Sequence, residues 1–450
     1  MKKIIQISLI LLLVSSIFLS IGCGKSKAND SDVTEVTIWI MPNSLEPIND
    51  LEKVLEGFYK IHPEIRVKIT SLDWGAAWVR ITTAAVSGDA PDIVQLGTTW
   101  VGAISSMGAL HDLSSQIDEV GGPAHFLSSS WRTSGIEGSN KVTSIPWFVD
   151  ARAMYYRTDV FNKLGLTVKD LATWDSFDKT LQKIKKANLK IDGKLIQPLG
   201  IPGKNDWNVV HNLAPWIWNA GGSFLKVDDY QKSNLSAEEV AEGLNYYIGL
   251  VTKGYVTHTC LEKNTSQVEN DFNNGEFAII FDGSNELRGL TTSPEQGGAS
   301  DTYVAKRFDI APYPAGPKGR FTFVGGSNLT IFKSSKNKKE AWEVIKYLVS
   351  KEAQVEYSKR SGFMPSVVDA FEDSYFVEDN RRAVYKEAVK YGRAYPTVPS
   401  WGLIEPILAR RFGIMWDYVL ESKTEFSVAD LKKLLKLADK EVSSILERNE

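Results

Sequence analysis

Between residues 33 and 96 the chain alternates strand-like and helix-like runs, and that order constrains the fold more than any other feature. Residues 33–40 are β-branched and apolar and predict a strand. Residues 45–61 then place Leu51, Val54, Leu55, Phe58 and Ile61 at helical spacing, and His62-Pro63 ends the run because a proline disfavours helix before it. Residues 65–69 predict a second strand, 77–86 a helix and 92–96 a third strand. Strand, helix, strand, helix, strand predicts an α/β lobe with a largely parallel sheet. Ligands of such sheets lie beyond the carboxyl ends of the strands. Here those ends carry Asn43, Asp73, Trp74, Thr98 and Thr99 as candidate contacts.

Residues 145–161 read IPWFVDARAMYYRTDVF. Ala151, Ala153 and Tyr155 alternate with Arg152, Met154 and Tyr156, a period of two that predicts a strand entered at Pro146. Aromatic planes beside an acid and a base suit a polar, ring-shaped ligand. An ordinary strand with one surface ion pair fits the same residues.

Lys2 and Lys3 precede an apolar run over residues 4–21, and Gly22, Cys23 and Gly24 follow. This pattern is a secretory signal peptide, residues 1–22. Residues 23–32 read as a flexible tether. Removing the leader leaves 428 of the 450 residues, more than one ordinary core accommodates, so two lobes are expected. The formal charge of −3, without a basic stripe, argues against a nucleic-acid partner. There are two cysteines, Cys23 and Cys260; if Cys23 carries lipid, no disulfide joins them.

Residues 174–187, 207–220 and 236–252 have helical patterns, and 277–281 (FAIIF) reads as a buried strand, so a second α/β lobe is expected. Gly325-Gly326-Ser327 interrupts a strand-like run, as glycine does where a ligand approaches the backbone. From residue 338 onward the chain is mostly helical. The five histidines show no metal spacing, and there is no Walker A loop, dinucleotide fingerprint or nucleophile elbow. No metal or cofactor is expected. The acids are too many for counting to exclude a glycosidase pair.

Several segments together resemble the sugar-binding lipoproteins of ABC transporters, the extracellular solute-binding group that includes maltose-binding protein. They are Ala90-Pro91-Asp92-Ile93-Val94, residues 146–161, Ala220-Gly221-Gly222-Ser223-Phe224, Phe272-Asn273-Asn274-Gly275-Glu276-Phe277-Ala278, and Gly325-Gly326 followed by Lys339-Glu340-Ala341-Trp342-Glu343. The likeness spans about residues 33–445. It implies a type II two-lobed α/β binding fold with three crossovers and a cleft that closes by hinge bending. Lobe one is expected at 33–147 plus 308–362, and lobe two at 148–307 plus 363–450. The N-terminus resembles a lipoprotein signal, which implies a lipid on Cys23, although Ser20 stands where that signal carries an aliphatic residue.

The resemblance implies roles for particular residues. Asp150, the crossover acid, would accept from sugar hydroxyls, with Arg152 as its neighbour or ion-pair partner. Trp401, in the stretch 399–405, would stack on a ring. Trp207 and His211 would meet the ligand from the aromatic helix, and Asn285 stands where some maltose binders have tryptophan. Gly325, Gly326 and Ser327 could offer backbone amides. The implied function is a non-catalytic, monomeric, exported lipoprotein that captures a sugar or short oligosaccharide and delivers it to an ABC permease. The alternatives are a surface glycan-cleaving enzyme and a binder of a non-sugar solute such as a polyamine.

Overall fold

A computed structural model describes residues 33–204, 206, 208–421 and 426–449. Strands β1 (Thr34–Ile40), β2 (Ile65–Ser71) and β3 (Ile93–Gly97) pair in parallel, with Ile38 against both Ile69 and Ile93. Between them run helices α1 (Pro47–Ile61) and α2 (Trp74–Ser87). Helix α1 buries Leu51, Val54, Leu55 and Phe58 on one face, as their spacing predicts. Helix α2 starts three residues earlier than its apolar pattern suggests. The Asp73 carboxylate accepts from the Gly75 N–H at 2.9 Å and caps its first turn.

The remaining sheet strands are β4 (Ile145–Ala151), β5 (Ala153–Arg157), β6 (Gln197–Gly200), β7 (Phe277–Asp282), β8 (Phe308–Ala311), β9 (Thr322–Ile331), β10 (Met364–Pro365) and β11 (Gly392–Arg393). The first sheet has the order β10-β4-β9-β3-β1-β2, with β11 beside the start of β9. The second has the order β8-β5-β7-β6. Each sheet is the centre of one lobe; the chain leaves the first sheet after β4, returns to it at β9, and after β10 runs on into helices of the second lobe.

Two expectations need correction. The alternation over 145–156 is not one strand: it breaks at Arg152, and β4 joins the first sheet while β5 joins the second. Lobe one therefore keeps the chain to Ala151, beyond the expected 147. Residues 308–311 do not begin the return to lobe one either. As β8 they pair antiparallel with β5, Ile310 opposite Tyr155, and the crossing comes between Ala311 and Thr322. Past β10 the helices Asn380–Ala388, Trp401–Glu421 and Val428–Leu446 pack on the second lobe.

Strand β9 carries a tight point of the first sheet. Gly326 lies at φ +123°, and a Cβ there would stand 2.1 Å from the Phe148 carbonyl oxygen of β4. Gly326→Ala should therefore lower unfolding free energy by ~1–3 kcal/mol or more. Gly249 lies in the helix Glu238–Thr252 with nothing within 4 Å of its Cβ position. Gly249→Ala should raise stability by ~0.5–1 kcal/mol, and denaturant melts of the two variants provide the comparison.

Candidate functional site

On the lobe-one side, the ends of β1 and β3 are held by an amide network. The Asn43 side chain donates to Gln95 Oε1 at 2.9 Å and to the Tyr357 hydroxyl at 2.9 Å. Gln95 Nε2 donates back to Asn43 Oδ1 at 3.0 Å and to Ser327 Oγ at 2.8 Å. All four side chains are buried. Asn43 and Ser327 are thus brought together, as supports for the strand ends. Ser327 and Gly326 pair with neighbours on both sides of β9, and the Gly326 carbonyl accepts from the Thr98 N–H at 3.1 Å. Ser327 is fully buried within that ladder, which corrects the reading that it presents a backbone amide to a ligand. Beyond the strand ends, Trp74 and Trp78 each meet Trp100, with centroids 5.5 and 5.6 Å apart. All three indoles are half-buried.

The lobe-two side is charged. The Arg152 guanidinium donates to Asp150 Oδ2 at 3.3 Å and to Asn208 Oδ1 at 3.2 Å, and it lies 3.8 Å from Asp282 Oδ1. Burial alone would weaken its hold on the proton, but the charges of Asp150 and Asp282 outweigh this and raise its pKa. Gly283 sits between Asp150 and Asn285: a Cβ there would lie 2.7 Å from Asp150 Oδ1 and 2.5 Å from Asn285 Oδ1. Two residues expected at the site, 135 positions apart in sequence, therefore converge on one glycine.

Behind them, Asp282 and Glu269 hydrogen bond to each other, and burial followed by mutual repulsion raises the pKa of Asp282. Glu286 is pushed up to about 8 by burial and then by Asp282. Asp150 Oδ1, Arg152 Nε and Glu286 Oε1 are buried without a hydrogen-bond partner among the described residues.

Between the lobes, the Thr99 side chain hydrogen bonds to Glu405, a residue of the helix Trp401–Glu421. Glu405 also lies 3.7 Å from His211 Nε2. Burial raises the Glu405 pKa to about 7, which the Thr99 bond partly offsets. His211 stacks on Phe323 with centroids 4.2 Å apart, and its Nδ1 shares a 2.9 Å hydrogen bond with the Tyr395 hydroxyl. Burial, then the Arg152 charge, lowers its pKa to about 3, so it is neutral at physiological pH.

Trp401 does not present a ring to the cleft. It has no exposed surface, it stacks on Tyr395 at 4.5 Å, and Phe224 packs edge-on against it. Trp207 and Cys23 lie outside the described residues.

Of the residues singled out in the sequence, Asp150, Arg152, Asn285, His211, Thr99 and Trp74 lie around this region; Gln95, Trp78, Trp100, Asn208, Glu269, Asp282, Glu286 and Glu405 lie there as well and were not singled out. Trp100 and Glu405 had a signal: Trp100 follows Thr99 at a strand end, and Glu405 lies one helical turn past Trp401. The others lay scattered among many similar side chains. Among the described residues, no group of three or more His, Cys, Asp and Glu is arranged to hold a metal ion.

The buried carboxyls set a pH response. Glu405 and Glu286 have pKa values raised above their unfolded ones, so the folded state holds more protons and stability falls as pH rises toward about 7 and about 8 respectively. The lowered His211 pKa acts in the opposite direction, but only between about 3 and its ordinary value of 6.5. Melting temperature should therefore fall between pH 6.5 and 8. Glu405→Gln should remove the part of the fall below about pH 7, and Glu286→Gln should flatten it up to about pH 8. Calorimetric scans across that range check both.

Residues 44–355 match the family described as bacterial extracellular solute-binding protein. Over 390 residues the chain is 26% identical to the diacetylchitobiose binding protein DasA of Streptomyces coelicolor, covering 85% of this chain and 84% of that protein. It is similar in fold to the sugar-binding protein MalE of Xanthomonas citri, with TM-score 0.76, 21% identity and coverage of 92% and 98%. It is also similar to UgpB of Mycobacterium tuberculosis in complex with glycerophosphocholine, with TM-score 0.74, 18% identity and coverage of 92% and 99%.

Proposed function

We propose, from the premise that this chain belongs to the bacterial extracellular solute-binding protein family, that it captures a sugar or short oligosaccharide between its lobes and delivers it to an ABC permease. The observation that carries this reading is the pair of buried atoms Asp150 Oδ1 and Arg152 Nε, an acceptor and a donor without protein partners. Buried polar atoms are normally hydrogen bonded. A sugar hydroxyl both donates and accepts, so a single solute satisfies both atoms. The half-buried indoles of Trp74, Trp78 and Trp100 supply flat apolar planes for the C–H faces of a ring. The sugar-binding names among its relatives support the same class.

Binding without chemistry is the reading we favour. Asp150 is tied to Arg152 as an ion pair, which suits a fixed acceptor rather than a proton donor to a leaving group. The buried Arg152 charge disfavours a cationic solute such as a polyamine. UgpB shows that similar folds hold glycerophosphocholine, so a neutral or zwitterionic non-sugar solute is the second reading.

We place the protein at the bacterial cell envelope as a monomer. Its leader is cleaved before a lipid-bearing Cys23, and residues 24–32 serve as the tether. Among the described residues, no helix is long and apolar enough to cross a membrane. The lobe boundaries we propose follow the sheets apart from β11, which joins the first sheet from within the second lobe: 33–151 with 322–365, and 153–311 with 369–449.

Asp150→Asn tests the reading. The loss of charge-assisted hydrogen bonds should weaken saccharide binding roughly 10- to 100-fold. The melting temperature of the ligand-free protein should hardly move, because Asp282 and Asn208 still face Arg152. Titration calorimetry against a carbohydrate panel measures the first and thermal scans the second. If no saccharide binds saturably, or if Asp150→Asn leaves the affinity intact, the reading fails. Trp401→Ala should do the reverse, costing ~3–5 kcal/mol of stability as a cavity-forming core substitution.

A further inference from the structure

A cavity of about 190 Å³ opens beside Tyr395, and its lining includes none of the cleft's carboxylates or indoles. Trp218, Phe224, Tyr230 and Tyr395 line it, together with Arg132, Glu137 and Arg393. It draws on both lobes. Arg132 follows the helix Ser128–Trp131, which packs on β4 and β9, and Trp218 ends a helix of lobe two. Tyr395 is a wall shared with the cleft, since its hydroxyl bonds His211.

The electrostatics of this cavity are unbalanced. Arg132 has a partner, Glu137, at 3.4 Å. Arg393 pairs with no carboxylate among the described residues, and its guanidinium instead lies 4.0 Å from the centre of the Phe321 ring. Burial, then the neighbouring charge of Arg132, weakens its hold on its proton. Two guanidiniums therefore border an aromatic-walled cavity that supplies one carboxylate. An anion restores the balance, and arginine forks match carboxylate and phosphate oxygens. The volume is below the ~300–1,000 Å³ of sites for drug-sized ligands, so the occupant is compact.

We propose that this cavity is a second binding site, for a single-ring solute bearing one anionic group, carboxylate or phosphate. Arg393 takes the anion, Arg132 adds positive charge at the mouth, and the aromatic walls take the ring. This site does not depend on what the cleft binds.

Titration calorimetry of the full-length chain in detergent, with glucuronate, glucose 6-phosphate and glucose as probes, tests the proposal. Glucuronate or glucose 6-phosphate should bind saturably in a way that depends on Arg393, while any glucose binding belongs to the cleft and should not change in Arg393→Gln; whichever acid binds identifies the anionic group. Arg393→Gln should weaken that binding roughly tenfold or more. Arg132→Gln should weaken it less, and thermal scans confirm that both variants are folded. Asp150→Asn, which acts in the cleft, should leave it unchanged within about twofold, as expected of separate sites. If neither acid binds, if Arg393→Gln weakens glucose binding as much as acid binding, or if Asp150→Asn costs as much as Arg393→Gln, the proposal is overturned.

Discussion

The rest of the structure depends on a buried positive charge at the point where the chain leaves one sheet for the other. Arg152 lies between β4 and β5, and its guanidinium is almost fully buried. A buried charge is tolerated only where opposite charge and hydrogen bonds surround it. Here they come from both directions: Asp150 from the end of β4 in the first lobe, Asp282 and Asn208 from the second. The crossover is thus fastened electrostatically, and the polar floor of the cleft is a by-product of that fastening. Asp282 in turn raises the pKa of Glu286 and shares a hydrogen bond with Glu269. One arginine therefore sits at the head of a chain of buried carboxyls whose pKa values are raised.

At several points the lobes meet at a glycine. A Cβ on Gly102 would strike the Thr397 carbonyl at 2.4 Å, one on Gly402 the Trp78 ring at 2.8 Å, and one on Gly362 the Asn285 backbone at 2.9 Å. Gly297 takes the Leu45 side chain in the same way, at 2.2 Å. At these points one lobe presents bare backbone to the other, which allows a closer approach than side chains on both surfaces would. Thr99 and Glu405 add a hydrogen bond across the same seam.

The parallel strands and helices of the first lobe were legible because their signals are local: the spacing of apolar residues and a proline stop. The exact break of the first crossover was not, although the resemblance put the crossover near it. The alternation from Ala151 to Tyr156 runs without interruption through Arg152, and nothing in it says that the strands on either side find partners in different sheets. The same holds for residues 308–311, whose membership is decided by β5. At the site, Asp150 and Asn285 were reached through the resemblance to a family, which carries information on position that composition does not. Trp401 and Glu405 show the limit of that route. They stand four apart on one helix, and the aromatic residue was the natural choice for a ring-binding role. Tyr395, arriving from outside the helix, covers the indole and leaves the acid facing Thr99. A neighbour supplied by tertiary packing overrode a preference read from residue type.

Cys260 has a further consequence. Its thiol is buried, donates to the Ile201 carbonyl at 3.2 Å, and is pushed up to about 12 mainly by burial. A thiol that stays protonated and out of reach of solvent is a poor nucleophile, so it takes little part in disulfide exchange or oxidation. The described fold is therefore held by packing and hydrogen bonds rather than by a covalent link through this cysteine. It should fold to the same state with or without thiol reductant, on either side of a membrane, with no oxidising partner required.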